Sequence, residues 1–263
     1  YIIQEKNLKT RMKKGIIICI CLLLAFMFCV PVAAQPSSKS VETILIDNFD
    51  KAEEMDWEWS VQASKFIHVG DSAEDTYPKM GYVEAIPNSL RAYRTANDGT
   101  PYVFGTQVRF DKKGDNWFEI FPTSKETGDL YEIPLLGQVS QVDFWVWGAN
   151  YNYYLEVLIR DANSVVHVLP ATMMNFEGWK NVVIQIPTAI RQQSRLRSGP
   201  ENLTFIGFRI RSAAGEFVDD FVIYLDQFRY TTNTMNFVYD GFELRKPDFE
   251  SQSSSTEGAS SAK

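Results

Sequence analysis

Short runs of alternating hydrophobic and polar residues recur along the chain from Val41 to Tyr230, and turn-forming residues separate them. Alternation with a period of two is typical of a strand with one packed face. A series of such strands, with no amphipathic helices between them, argues against an α/β fold. The pattern predicts an all-β antiparallel sandwich with long loops and few short helices. The strand-like segments are 43–47, 102–110, 117–121, 142–147, 153–160, 165–169, 180–186, 204–211 and 221–230.

The segment 142–147 shows the alternation most clearly, because one of its sides is entirely apolar and the other is aromatic and acidic. The first side carries Val142, Phe144 and Val146, and the second carries Asp143, Trp145 and Trp147. Three interpretations of the second side stay open: a further core layer under a loop, a protein contact, or a platform on which sugars stack. Tyr151, Tyr153 and Tyr154 follow directly and would extend the same surface.

The amino-terminal segment has the three parts of an export sequence. Lys13 and Lys14 are basic, residues 16–30 are uninterruptedly apolar, and residues 32–34 are Val-Ala-Ala. These features predict a secretory signal peptide at residues 12–34, with residues 1–11 as an upstream extension of the reading frame. The apolar run is too short to span a bilayer, so no membrane anchor is expected after cleavage. We expect a β-sandwich domain at 35–248 and a disordered Ser-rich tail at 249–263.

Charge and cysteine content narrow the classes of partner. The formal net charge is −7, which argues against a nucleic-acid partner because phosphate binding depends on a basic surface. The three cysteines, Cys19, Cys21 and Cys29, lie in the segment predicted to be removed, so neither disulfides nor thiolate metal sites are expected. A basic cluster is formed by Arg191, Arg195 and Arg197, and it is either a solvated loop or a contact for an acidic partner.

The residues that catalysis needs do not form a recognisable set. There is no P-loop, no Gly-x-Ser-x-Gly elbow and no His-Glu-x-x-His motif. The sequence has two histidines, His68 and His167, and the second lies between valines in a predicted strand. No pair of acids has the arrangement of a glycosidase. We therefore expect a protein that is not an enzyme.

Acidic residues at the ends of the first and last predicted strands suggest one inorganic ligand. Asp47, Asn48 and Asp50 close the first strand, and Asp226 lies in the last. Hard oxygen ligands of this kind hold Ca²⁺, which often ties terminal strands together in jelly-roll binding modules. The alternative is that these side chains cap strand ends and turns. No other cofactor is expected.

Five stretches of the sequence, in order along the chain, resemble the FlaA-type flagellar filament outer-layer (sheath) proteins of spirochaetes. They are residues 77–87, 109–117, 142–161, 178–187 and 219–226. The resemblance implies a jelly-roll-like β-sandwich similar to carbohydrate-binding modules and galactose-binding domains. It also implies a periplasmic subunit that coats the flagellin core of the periplasmic flagellum and affects filament stiffness, curvature and motility. Its partners would be core flagellins and other sheath subunits, including copies of itself.

For such a coat we expect aromatic residues to make lateral or core contacts and basic residues to orient them. The aromatic candidates are Trp145, Trp147, Tyr151, Tyr153 and Tyr154, and the basic candidates are Arg191, Arg195 and Arg197. The alternative function is a secreted, non-catalytic carbohydrate-binding β-sandwich module.

Overall fold

Two antiparallel sheets of six strands each build the part of the chain that the computed structural model describes, residues 41–50, 55–95, 98–194 and 202–233. Sheet A contains Val41–Asp47 (β1), Lys79–Glu84 (β3), Tyr102–Val108 (β4), Gln138–Ala149 (β7), Glu177–Gln185 (β10) and Phe221–Asn233 (β12). Sheet B contains Trp57–Ala63 (β2), Trp117–Ser124 (β5), Ile133–Leu135 (β6), Tyr153–Arg160 (β8), Val166–Met173 (β9) and Leu203–Ser212 (β11). The predicted all-β antiparallel sandwich is confirmed.

Helical structure is confined to short pieces in the described residues. A 3-10 turn covers Ala73–Asp75, and one α-helix, α1, covers Asn88–Arg91. No helix in these ranges has the length and apolar character needed to cross a membrane. The predicted signal peptide at 12–34 and tail at 249–263 lie outside the described residues, so they stay predictions, as do the domain limits at 35 and 248.

The strand order within sheet A places β12 at its centre. The order is β10-β7-β12-β4-β3, and β1 pairs with the second half of β12 on the side where β4 pairs with the first half. A β-bulge interrupts the pairing of β12 with β7 between Asp226 and Arg229. Gln227, within this bulge, has a positive φ of 51°. Bulges re-aim side chains locally, and this one lies under the pocket described below.

The core lies between the two sheets and is unusually rich in aromatic rings. Phe144 and Phe228 from sheet A meet Phe205 and Phe208 from sheet B, with ring centroids 4.6–5.1 Å apart for the closest pairs. Trp59 from β2 packs against the same cluster. Edge-to-face contacts of this kind add to the stabilisation from apolar burial, which has to hold the sandwich together without disulfides.

Candidate functional site

An aromatic row crosses three strands of sheet A. Trp179 of β10 lies directly opposite Trp147 of β7, and Trp147 lies directly opposite Tyr224 of β12. Val146 precedes Trp147 on β7, and Leu225 follows Tyr224 on β12. Both of these neighbours are buried in the core. Because side chains alternate along a strand, the three aromatic residues face away from the core. All three are half-buried. We call Trp179, Trp147 and Tyr224 the aromatic row.

Glycine extends the row towards the edge of sheet A. The residue opposite Tyr224 on β4 is Gly105, and the residue opposite Gly105 on β3 is Gly81. The Tyr224 ring covers Gly105 so closely that a Cβ atom there would lie 2.7 Å from Tyr224 Cε1. The Trp147 and Tyr224 rings meet edge to face, with centroids 5.5 Å apart. The missing side chain at Gly105 therefore allows Tyr224 to lie down on the sheet.

Two of the predicted contact residues, Trp145 and Trp147, lie on this outward face as the alternation predicted. Trp145 is directly opposite Asn181 on one side and Asp226 on the other. Its indole Nε1 is buried and has no hydrogen-bond partner in the described part of the chain. The Trp145 side chain as a whole is half-buried, as are the three residues of the aromatic row beside it.

The prediction that Tyr153 belongs to the same exposed surface is wrong. Tyr153 is 0% exposed and stacks on Phe221 with centroids 4.1 Å apart. Its hydroxyl donates to the carbonyl oxygen of Phe217 at 3.1 Å, and burial raises the pKa of the Tyr153 hydroxyl. β7 belongs to sheet A and β8 belongs to sheet B, on the other side of the core. A surface read from the outward side of β7 therefore does not continue into β8.

The remaining predicted aromatic contacts lie in two other places. Tyr154 is 40% exposed and faces outward from sheet B, where the Arg211 guanidinium lies 5.8 Å from its ring centroid. Tyr151 packs edge to face against both Tyr153 and Phe221 at the end of the sandwich, and burial raises the pKa of its hydroxyl. The five predicted aromatic residues therefore do not form one surface.

Of the predicted basic patch, the structure describes one member. Arg191 is half-buried, and its carbonyl oxygen accepts a hydrogen bond from the N–H of Ala162 at 2.9 Å. Gln192, the next residue, is buried and its side chain binds the backbone of Val139 at the start of β7. Arg191 thus lies at the end of the sandwich where β7 begins. Arg195 and Arg197 lie outside the described residues.

The predicted calcium ligands at the end of β1 are occupied by donors of the protein itself. Asp47 Oδ1 accepts from the N–H of Phe49, and Oδ2 accepts from the indole of Trp59, both at 2.7 Å. Asp50 pairs with Arg94 at 2.8 Å and accepts from the N–H of Tyr102 at 2.9 Å. Within the described ranges, no three or more His, Cys, Asp or Glu residues group as a metal site. Asp47 and Asp50 thus make the hydrogen bonds at strand ends and turns that the capping interpretation describes, and calcium binding stays a prediction.

A pocket of about 350 Å³ opens on the outward face of sheet A beside Trp145. Its floor is Asp226 and Gln227 at the bulge of β12, and Asn48 and Asp50 stand on one wall. The structure thus brings together three of the four predicted calcium ligands, although not as a metal site. The opposite wall comes from the segment that contains α1, and its members include Leu90, Tyr93, Arg94 and Asp98. We call this the Asp226 pocket.

The Asp226 carboxyl is buried, and it forms no ion pair with any residue that the structure describes. The residue is 4% exposed, and burial raises the pKa of the carboxyl to about 7. The neighbouring carboxylates of Asp50 and Asp47 raise the pKa further, while the N–H of Gln227 and the charge of Arg94 oppose the shift. A perturbed acid in a cleft is a candidate functional group.

The two histidines have structural partners. His68 contacts Asp111 through Nδ1 at 2.6 Å and Asp75 through Nε2 at 3.1 Å, and these hydrogen bonds raise the pKa of His68, that to Asp111 most. His167 contacts Asp161 at 2.8 Å, next to the β8–β9 turn. Both rings tie loop residues together, which agrees with the structural interpretation of His167.

The described residues define an antiparallel β-sandwich of two sheets, with the aromatic row on the outward face of sheet A. The sequence model of the family described as flagellar filament outer layer protein FlaA matches residues 42–239. The chain therefore belongs to the FlaA family of flagellar filament outer layer proteins, and the match covers the whole described sandwich.

One relative has a matching description. A flagellar filament outer layer-like protein of Brachyspira hyodysenteriae (strain ATCC 49526 / WA1) is 25% identical over 136 residues, which is 52% of this chain. The aligned region spans 60% of the length of that relative.

Solved structures with a similar fold include carbohydrate-binding modules. TmCBM61 in complex with β-1,4-galactotriose is 18% identical, covers 66% of this chain and 88% of its own, and superposes with a TM-score of 0.35. The family 11 module of the cellulase Lic26A-Cel5E of Clostridium thermocellum is 11% identical, covers 72% and 94%, and also has a TM-score of 0.35. At these values the similarity concerns the sandwich fold alone.

Proposed function

We propose that this chain is a structural, non-catalytic subunit of the layer that coats the flagellin core of a periplasmic flagellum. Its contacts with the core and with neighbouring coat subunits contribute to the stiffness and curvature of the filament, and so to motility. The chain reaches the periplasm by the predicted signal peptide. The observation that carries the proposal is the family match over residues 42–239, because it spans both sheets rather than one local motif.

The surface of sheet A suits a protein contact better than the surface of sheet B. Sheet A presents the aromatic row, and Trp and Tyr dominate the energetic centres of interfaces. Sheet B presents charged side chains that already pair with one another: Arg209 with Glu119 at 2.6 Å and Arg211 with Glu156 at 2.7 Å. Such satisfied pairs at a surface contribute little to binding. We therefore assign the aromatic row to the filament contact.

The role in the coat is tested on filaments isolated from the source bacterium. Cryo-electron microscopy should show density for this sandwich outside the flagellin tube. Filaments that carry none of the protein, from cells that express it, would contradict the proposed function.

Substitution of the aromatic row tests which face makes the contact. Trp147→Ala should weaken binding of purified protein to stripped filaments about tenfold or more, because it removes a large anchor from the centre of the row. Tyr154→Ala on the outward face of sheet B is the matched control and should bind as the wild type does. Co-sedimentation with filaments measures both, and circular dichroism confirms the fold. The reverse order of effects would move the contact to sheet B.

The alternative function, a secreted carbohydrate-binding module, is favoured by the same aromatic row, since aromatic rings on an open sheet face can stack on sugars. A glycan array with the purified protein separates the two functions. If the protein binds a specific glycan, loses that binding in Trp147→Ala and does not bind filaments, the carbohydrate-binding function replaces the proposed coat function.

A further inference from the structure

The Asp226 pocket combines negative charge, apolar walls and an open mouth. Its floor is the Asp226 carboxyl, 4% exposed, and Asp50 and Asp98 add carboxyl groups to its walls. Leu90 and the ring of Tyr93, a residue that is 83% exposed, supply apolar surface at the mouth. A volume of about 350 Å³ is enough for one long side chain.

Among the described lining residues, no cation forms an ion pair with the Asp226 carboxyl. Arg94 is the arginine among the lining residues, and its guanidinium is engaged by Asp50 at 2.8 Å and by the carbonyl oxygens of Asp98 and Gly99. The Asp226 carboxyl accepts a hydrogen bond from the N–H of Gln227 and forms no ion pair within the described residues. A buried carboxyl in this state is costly unless it is protonated or meets a cation from outside.

We propose that the Asp226 pocket receives an arginine side chain from the basic segment 191–197 of a second copy of this chain. A guanidinium binds a carboxylate through two parallel hydrogen bonds, and the aliphatic part of an arginine packs on apolar walls. This proposal rests on the proposed coat function in one respect, because copies of the chain are neighbours in a coat.

The charges and positions of the two surfaces argue for a second copy as the partner. The chain carries a net charge of −7, so a cluster of three arginines in seven residues is a local exception that an acidic pocket complements. Arg191, the described arginine of the cluster, lies where β7 begins, and the pocket lies on the outward face of sheet A, so Arg191 and the pocket occupy different parts of one subunit. A contact between two different surfaces is heterologous, and repeated contacts of this type build open helical arrays.

The test is a titration of the purified protein with a peptide of residues 189–199, which contains neither Trp nor Tyr. NMR should show shifts of the Trp145 indole N–H and the Gln227 amide, the residues next to the carboxyl. The affinity should rise about tenfold from pH 6 to pH 8, because the Asp226 carboxyl, with a pKa of about 7, becomes ionised over this range. A peptide with glutamine in place of its arginines should cause no shifts.

Two variants separate the pocket from general charge attraction. Asp226→Asn keeps the shape and should lower the affinity at pH 8 about tenfold and remove its pH dependence. Asp115→Asn is the matched control, because this aspartate is 77% exposed and forms only a distant contact with Arg211 at 3.9 Å. Undiminished peptide binding by Asp226→Asn, or no shifts with the wild-type protein, would overturn the proposal. Shifts of the same resonances by β-1,4-galactotriose or Ca²⁺ instead of the peptide would also overturn it.

Filament binding by the same variants distinguishes failure of this inference from failure of the proposed function. If the wild-type protein coats filaments but does not bind the peptide, the coat function is supported and the pocket contact is contradicted. If the protein binds the peptide but never associates with filaments, the pocket contact is supported and the coat function is contradicted.

Discussion

Replacing Asp226 by asparagine should raise the free energy of unfolding by about 2–4 kcal/mol at pH 8 and change it little near pH 4. The pKa of the folded carboxyl is about 7, above its ordinary value of 3.8. Between these values the folded protein keeps a proton that the unfolded chain releases. Wild-type stability therefore falls as the pH rises through this window, and an asparagine does not titrate. Chemical denaturation of both proteins across the pH range measures the difference.

Asp143→Asn is the matched control for this result. Asp143 lies on the same outward face of sheet A, is 4% exposed, and pairs with Arg229 of β12. Because it has a cation partner, its replacement should lower the free energy of unfolding at neutral pH by about 1–3 kcal/mol. An Asp226→Asn variant that is also destabilised at pH 8 would contradict the view that this carboxyl is a stability cost. A buried side chain that lowers the free energy of unfolding is typical of a functional site, where stability is traded for activity.

The second large effect is expected in the core. Trp59→Phe should lower the free energy of unfolding by about 2–3 kcal/mol, because it removes a hydrogen bond to a buried carboxylate and leaves a cavity. The indole of Trp59 donates to Asp47 Oδ2 at 2.7 Å, and the residue is 4% exposed among Phe205, Phe208 and Phe228. Urea denaturation measures the loss.

Trp145→Phe is the matched control, because it makes the same substitution at a second tryptophan of the sandwich. The Trp145 indole nitrogen is buried without a hydrogen-bond partner in the described structure. Its replacement removes an unsatisfied donor together with apolar area, so the net loss should stay below about 1 kcal/mol. Equal losses in the two variants would show that ring size alone, and not the bond to Asp47, determines the contribution of Trp59.

The hydrophobic pattern of the sequence was sufficient to predict the β-sandwich and the outward position of two tryptophans on sheet A. In 142–147 each side chain alternates strictly, so the outward position of Trp145 and Trp147 followed from the strand period alone. The same reasoning failed at Tyr153, because β8 belongs to sheet B and not to the sheet that contains β7. The passage of the chain from one sheet to the other leaves no clear trace in the hydrophobic pattern.

The rest of the site depends on pairing between strands that are distant in the chain. Trp179 and Tyr224 join Trp147 only through the registers of β10 and β12 with β7, which one sequence does not reveal. The best available indications were Trp179 beside Gly178 and the alternation of β12. The sequence shows that Asp226 is an acid in the last predicted strand and suggests a metal as its partner. The burial of Asp226 depends on the bulge in β12. The pairing register of strands that are distant in the chain is therefore the part of the site that one sequence does not predict.

The pairing of β1 with β12 has a mechanical consequence. Val41 lies opposite Asn233, so the first and last described residues of the sandwich lie side by side. A force that separated these two points would peel β1 away one hydrogen bond at a time instead of loading all of its bonds together. In the proposed coat, these two points are therefore poorly placed to carry tension. The broad sheet surfaces are the better place for load to pass from one subunit of that coat to the next.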